Sequence, residues 1–217
     1  MTRPRLNWFL AAAMVCLMLA GQAHAAAACD PYSRDNDSAR DARIHRNFPQ
    51  AQKLVAEVVA HRPADFRANY TAGLTLLDQS GIDLGVAPNP NLVRAGIAQL
   101  AKTAALLDTL DPACTKYAQD NGWYGVLNTL AVYYYNTGDM KNAEQMLQRG
   151  YAKRAFMNQK TQQKLLDNLG RLYFERNDYG QSARYYTEAG RAGSVGADQR
   201  AATAQQLGML IFKPRGK

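Results

Sequence analysis

Residue types able to do chemistry are sparse in this sequence and poorly spaced for it. His45 and His61 stand sixteen residues apart, with no Cys or carboxylate at ligand spacing beside them. A zinc or other transition-metal site needs three or four donors at fixed intervals, so they are expected to be solvated helix histidines. Asp35, Asp37 and Asp41 resemble the start of a calcium loop, but Ala39 takes a ligand position and Arg40 stands where glycine must turn. That stretch reads as a polar leader in which Ser38 caps a helix and Asp41 completes a capping box. A Ser, Thr or Cys nucleophile needs an adjacent base, and no Gly-x-Ser-x-Gly or Cys/His signature occurs. Gly190-Arg-Ala-Gly-Ser-Val-Gly196 lacks the lysine and the preceding strand of a phosphate loop, and is expected to end one helix and link to the next. Carboxylates that meet only in space stay open. No catalytic residue, metal ligand or cofactor is expected.

The cysteines carry the remaining chemistry, and their meaning depends on the first 25 residues. Arg3 and Arg5 precede an apolar stretch from Trp8 to Ala20, followed by the small-x-small pattern Ala23-His24-Ala25. Thirteen apolar residues make a helix of roughly 20 Å, short of the ~30 Å of a bilayer core. Residues 1–25 are therefore predicted to be a cleaved signal peptide, and no transmembrane span is expected after cleavage. Removal takes Cys16 away and leaves Cys29 and Cys114 in a compartment that permits oxidation. One disulfide between them is expected; two free thiols are the alternative. Cys29 also follows three alanines, which raises a lipid anchor, but such signals place Leu, Val or Ile where Ala26 stands. The expected location is the periplasm, with a secreted or Cys29-anchored protein as alternatives.

What must position any surface is a helical frame. The chain has 217 residues, 47% hydrophobic and 20% charged, with 16 Gly and 8 Pro in no period. That composition excludes a disordered or collagen-like chain, and three cysteines are too few for a disulfide-dense scaffold. Four segments align without gaps: Asn69–Leu77, Leu127–Tyr135, Leu166–Phe174 and Ala204–Phe212. Each has an apolar residue or Ala at its fourth position, Gly or Ala at its fifth and a large apolar residue at its eighth. The fourth and eighth fall one helical turn apart, and the small residue between them lets a second helix approach. Two copies run on into a second helix, through Gly138-Asp139 or Asn177-Asp178 and then Ala143, Leu147, Gly150 or Ser182, Tyr186, Ala189. Gly138 and Asn177 suit a left-handed helix stop, and Asp139 and Asp178 suit the next N-cap. Apolar alternation of the strand type is absent, so an all-α chain of eight or nine helices is predicted, its last helix ending before Pro214.

These residues resemble the tetratricopeptide repeat, whose first helix carries Leu-Gly then Tyr and whose second carries Ala, an aromatic residue and Ala. The unit at Leu166, Leu169, Gly170, Tyr173, Tyr186 and Ala189 departs only at Ser182. The unit at Leu127, Leu130, Ala131, Tyr134, Ala143 and Leu147 departs at Gly150 and has Ala155 in place of the closing Pro. Ala51, Val55, Val58 and Pro63 read as a lone second helix before Asn69. Spacings of 38 and 39 residues between the later copies exceed the family's 34, which keeps the Sel1-like repeat as a close alternative, and the turn-rich Ser80–Asn91 accounts for part of a 58-residue step. The resemblance implies a short right-handed solenoid of helix hairpins over residues 45–212, after a polar leader at 26–44 and before a basic tail at 213–217.

It also implies a concave groove. Three consecutive tyrosines, Tyr133, Tyr134 and Tyr135, spread over about 200° of a helix; with Tyr134 in the core, Tyr135 falls where the family lines its groove. The same carry-over puts Asn128, Val132, Tyr135 and Asn136 in the groove from one unit, and Lys164, Asp167, Arg171, Phe174 and Glu175 from the next. Only Lys164 and Asn168 match the family's carboxylate-clamp set, and Val132 replaces a key Asn, so capture of a C-terminal carboxylate is not expected. Charge is uneven: residues 26–148 hold 11 basic and 13 acidic side chains, residues 149–217 hold 13 and 5. The expected function is an exported scaffold or adaptor holding a protein segment in the groove. The alternative is binding of an anionic polysaccharide or lipid headgroups through the basic last third. Nucleic acid is not an expected partner.

Overall fold

A computed structural model of the chain describes residues 28–84 and 87–211. The expected signal peptide (1–25) and basic tail (213–217) lie outside them. Every regular element among the described residues is helical. The α-helices are α1 (Ser33–Ile44), α2 (Phe48–His61), α3 (Phe66–Ser80), α4 (Pro90–Leu106), α5 (Thr115–Asp120), α6 (Gly125–Asn136), α7 (Met140–Ala152), α8 (Gln159–Glu175), α9 (Tyr179–Arg191) and α10 (Ala197–Ile211). That is one or two more than expected, and the leader's helix starts earlier than expected: α1 begins at Ser33. Ser38 lies inside it and donates to the Arg34 carbonyl at 3.0 Å, so it is not the cap. None of the described helices is long and apolar enough to cross a membrane.

Local chemistry explains where the helices start and stop. Asn47, Asp65, Asn89, Asp139, Asn158 and Asp178 each accept a backbone N–H of the following first turn, satisfying donors that a helix leaves open. The α6–α7 and α8–α9 turns are near copies. Gly138 (φ 81°) and Asn177 (φ 61°) are left-handed. Their N–H groups reach Tyr135 O and Phe174 O, while Asp139 N reaches Tyr134 O and Asp178 N reaches Tyr173 O. The two expected stops and the two expected caps are all present.

Helices pack in adjacent pairs: α1 with α2, α3 with α4, α6 with α7, α8 with α9, and α10 on α9. Further contacts join α2 to α3, α4 to α6, α7 to α8, and the next-but-one neighbours α1 to α3 and α6 to α8. Small residues set the close approaches. A β-carbon on Gly96 would stand 2.6 Å from Leu77 Cγ and 3.0 Å from the Gly73 carbonyl, so α3 and α4 meet nearly backbone to backbone. One continuous core runs from Phe66 through Leu100, Leu127, Leu130, Leu165 and Leu169 to Ala197; Ala39, Val55, Val58 and Ala68 form a smaller cluster at the amino-terminal end.

The repeated phrase is buried in a way its pattern did not show. Positions four and five are inside in the two central copies (Leu130 and Ala131; Leu169 and Gly170). The seventh position is also inside, as Thr75, Tyr133 and Leu172, while the eighth, as Leu76, Tyr134 and Tyr173, is half-buried. Helix α6 touches α4, α7 and α8, so more than one stripe of it must be apolar. Tyr133, not Tyr134, is therefore the core tyrosine of the triplet, 8% exposed. Cys29 and Cys114 are bridged, with Cα atoms 5.5 Å apart, joining the segment before α1 to the turn before α5.

Candidate functional site

Helices α6 and α8 lie side by side, and the seam between them holds most of the polar and aromatic groups expected in a groove. Its centre is an amide pair: Asn168 Nδ2 donates to Asn128 Oδ1 at 2.8 Å. A hollow of about 460 Å³ opens on one side, lined by Asn128, Val132, Lys164 and Asp167 with Asp83 and Tyr133. A smaller one of about 70 Å³ adjoins it, lined by Val132, Tyr135, Asn168 and Arg171 over Ala131 and Leu147. Val132 and Asn168 belong to both, so the hollows form one continuous depression.

Several lining groups are already held in place. The Arg171 guanidinium lies over the Tyr135 ring at 4.2 Å, and its Nε donates to Tyr135 Oη and Glu175 Oε1, each at 3.3 Å. Asp167 accepts from Ser194 Oγ and from Arg200, which come from the α9–α10 turn and α10. Lys164 is exposed and makes no ion pair among the described residues. Among the described residues it is the cation of the depression without a carboxylate partner. Tyr133 Oη donates to Asp83 at 2.9 Å, drawing the Ser80–Asn91 insertion against α6.

Of the nine expected groove residues, Asn128, Val132, Tyr135, Lys164, Asp167 and Arg171 line the depression. Asn136 is exposed and lines neither hollow; Glu175 reaches the site only through Arg171. Phe174 packs edge-on to Tyr179 at 5.3 Å, against the start of α9. Asp83 and Tyr133 were not foreseen. The insertion carrying Asp83 stood out by its turn residues, but nothing local tied it to a tyrosine fifty positions on. The two histidines each meet a carbonyl of their own helix, His45 that of Asp41 and His61 that of Glu57. Among the described residues no group of three or more His, Cys, Asp or Glu side chains is placed to share a metal ion.

The surrounding tyrosines are tuned by burial. Burial, and then its hydrogen bond to the Asp83 carboxylate, push the Tyr133 phenol well above the ordinary tyrosine range. Burial and the hydrogen bond to Glu144 push Tyr173 up to about 12. For Glu144, burial pushes the carboxyl up, but the bonds from Tyr173 and Arg176 outweigh it and hold it below its usual value. A phenol whose folded value is raised contributes stability that is whole below about pH 10, its unfolded value, and is lost as pH climbs through the folded one. The protein is thus expected to keep Tyr133 and Tyr173 protonated at pH 10–11 and to lose helicity as pH approaches 12. Phenolate absorbance and circular dichroism followed together check this; complete ionisation near pH 10 without loss of helix would contradict it. The Glu144 contribution has the opposite sense, present above the ordinary glutamate range and lost as pH falls below it.

No protein-family model matches the chain, and none of the curated proteins compared with it matches either.

Proposed function

We propose that this chain is an exported, non-catalytic adaptor whose helix hairpins form a short right-handed solenoid of tetratricopeptide type and hold a segment of another protein across α6 and α8. The supporting observation is the depression itself. Six side chains that the repeat resemblance puts in the groove come from α6 and α8 and line the two adjoining hollows around the Asn128–Asn168 pair. Tyr135, stiffened by Arg171, offers rigid contact area at little entropic cost, and the amides and Lys164 offer hydrogen bonds and one charge, a combination suited to extended peptide. The repeat of turn geometry at Gly138 and Asn177 and the order of helix contacts support the hairpin stack. The Cys29–Cys114 bridge and the amino-terminal signal pattern support export, with the periplasm as the compartment and envelope assembly or secretion as the setting.

The basic last third supports the anionic-surface alternative less well. Arg149, Arg171, Arg176, Arg184 and Arg200 are each paired with a carboxylate, which leaves Lys153, Arg154, Lys160, Lys164 and Arg191 as the cations of that stretch without a carboxylate partner among the described residues. The test is affinity purification from an envelope extract with the wild type and a Tyr135→Ala/Arg171→Glu variant, at low and at high salt. The variant is expected to lose captured protein tenfold or more while its far-ultraviolet dichroism is unchanged. Equal capture by the two proteins would overturn the groove. Capture of glycan or vesicles alone, abolished by salt, would favour the basic face.

A further inference from the structure

Helix α10 carries the repeated phrase, yet among the described residues no helix follows it to complete a hairpin. Its Ala204, Gly208 and Met209 hold the places in the phrase that Leu166, Gly170 and Arg171 hold in α8. Around α8 that surface is covered by α9. Tyr186 of α9 lies against Gly170, Ser182 Oγ donates to the Gly170 carbonyl at 2.8 Å, and Gln148 of α7 donates to Tyr185 Oη at 3.1 Å. Helix α9 thus fills the seat that α7 and α8 make between them. One step further along, α9 and α10 make the same kind of seat, and it stands open. It is a hollow of about 870 Å³, lined by Tyr179, Ala183 and Thr187 from α9 and by Ala204, Gly208 and Met209 from α10. A β-carbon on Gly208 would meet only Tyr179 Cβ, at 3.5 Å, and Met209 is 66% exposed.

Shape and charge together choose the occupant. The seat one step earlier takes a helix, and it takes one whose contact face carries a small residue, Ser182. Helix α10 meets that condition itself: Ala204 and Gly208 stand one turn apart on the face that lines the hollow. The charge is that of a surface able to meet its own copy. After Arg200 the exposed positions described in α10 are Ala202, Thr203, Gln205, Gln206 and Met209, none of them charged. On the α9 side Arg184 and Glu188 neutralise each other at 3.3 Å. A partner recognised through opposite charge would find little to pair with here. A face that meets its own copy, in contrast, must avoid setting like charges against each other, which is costly, and this one does. A two-fold axis beside α10 lays the α10 of each copy in the α9–α10 seat of the other, so one operation fills two open seats and closes the assembly. We propose that the chain forms a symmetric dimer in which α10 of each copy takes, beside the partner's α9 and α10, the place that α9 takes beside α7 and α8.

Sedimentation velocity of the purified protein over about 1–200 µM tests this, since an interface of two helices a side falls in the micromolar range. The expected result is a reversible rise to twice the monomer mass and no further, with amide exchange in residues 201–209 slowing as the dimer forms. Met209→Lys, at an exposed position, is expected to weaken the dimer at least tenfold while the circular dichroism of the monomer is unchanged. Gly208→Gln, whose added β-carbon meets only Tyr179 Cβ within the chain, is expected to do the same, so that a loss of dimer cannot be laid to a loss of fold. Lys164→Ala, in the α6–α8 depression, is expected to leave the association unchanged, which separates this surface from the adaptor reading. The proposal is overturned if the mass stays that of one chain up to about 200 µM, if it climbs past two chains, or if Met209→Lys and Gly208→Gln associate as the parent does.

Discussion

Serine at both Cys29 and Cys114 is expected to lower the thermal midpoint by roughly 10 °C, the larger of the two stability losses foreseen for this protein. The bridge closes a loop 85 residues apart in sequence. On the chain-entropy model that closure is worth about 4.5 kcal/mol, against about 2–5 kcal/mol for native bridges removed from small domains. A domain of this size shifts by about 2–4 °C per kcal/mol. The bridge also pins its neighbour. Asp30 is almost wholly buried and accepts from Arg67 and, at 3.0 and 3.3 Å, from Asn36 and Tyr117. Asn36 in turn bonds Asp65, the N-cap of α3, at 3.1 Å. Freeing Cys29 therefore loosens the anchorage of α1 before it affects α8. Calorimetry measures the midpoint, and hydrogen exchange should show protection falling first in residues 33–44. An unchanged midpoint, or exchange that rises uniformly along the chain, would show that the bridge does not carry this load.

Gly170→Val is expected to cost about 3 kcal/mol, at the upper end of ordinary overpacking. A β-carbon there would stand 2.6–2.8 Å from three atoms of the Tyr186 ring. That ring is buried under Arg200, whose guanidinium lies 5.1 Å from its centroid and also holds Asp167. Ser182 Oγ, one turn before Tyr186 on the same face of α9, donates to the Gly170 carbonyl at 2.8 Å and fixes α8 against α9. Neither helix can yield without breaking one of these contacts. Gly138→Ala is the matched control: nothing lies within 4 Å of its added carbon, and only the left-handed backbone at φ 81° is penalised, by about 1–2 kcal/mol. Urea unfolding of the two variants ranks them, and a larger loss at Gly138 than at Gly170 would refute the packing account.

Much of the architecture is legible in residue order because helices, their stops and their caps are local events. A glycine or asparagine followed by aspartate, then an apolar residue every three or four positions, specifies the α6–α7 and α8–α9 turns with no reference to the rest of the chain. The all-helical class follows the same logic. The cysteine pairing was legible only by counting, since removal of residues 1–25 would leave two thiols, and the structure chooses the bridge over free thiols.

Contacts between distant segments could not be read this way. That the seventh position of the repeated phrase is inside, so that Tyr133 and not Tyr134 fills the core, depends on α6 being enclosed by α4, α7 and α8. That Asp83 reaches Tyr133, that Arg200 takes up Asp167, and that Phe174 turns toward Tyr179 are consequences of how closely pairs of helices approach. The closest of the helix approaches are at Gly73 against Gly96 and Gly170 against Tyr186, where an added β-carbon would not fit. The amino-terminal end is of the same kind: α1 looks like a solvated polar segment by composition, and is held against α3 by a bridge to Cys114 and a carboxylate at Asp30. Short-range order is encoded in neighbouring residues, whereas the meeting of Arg67 and Tyr117 on the Asp30 carboxylate is fixed by helix crossings that no single stretch of the chain contains.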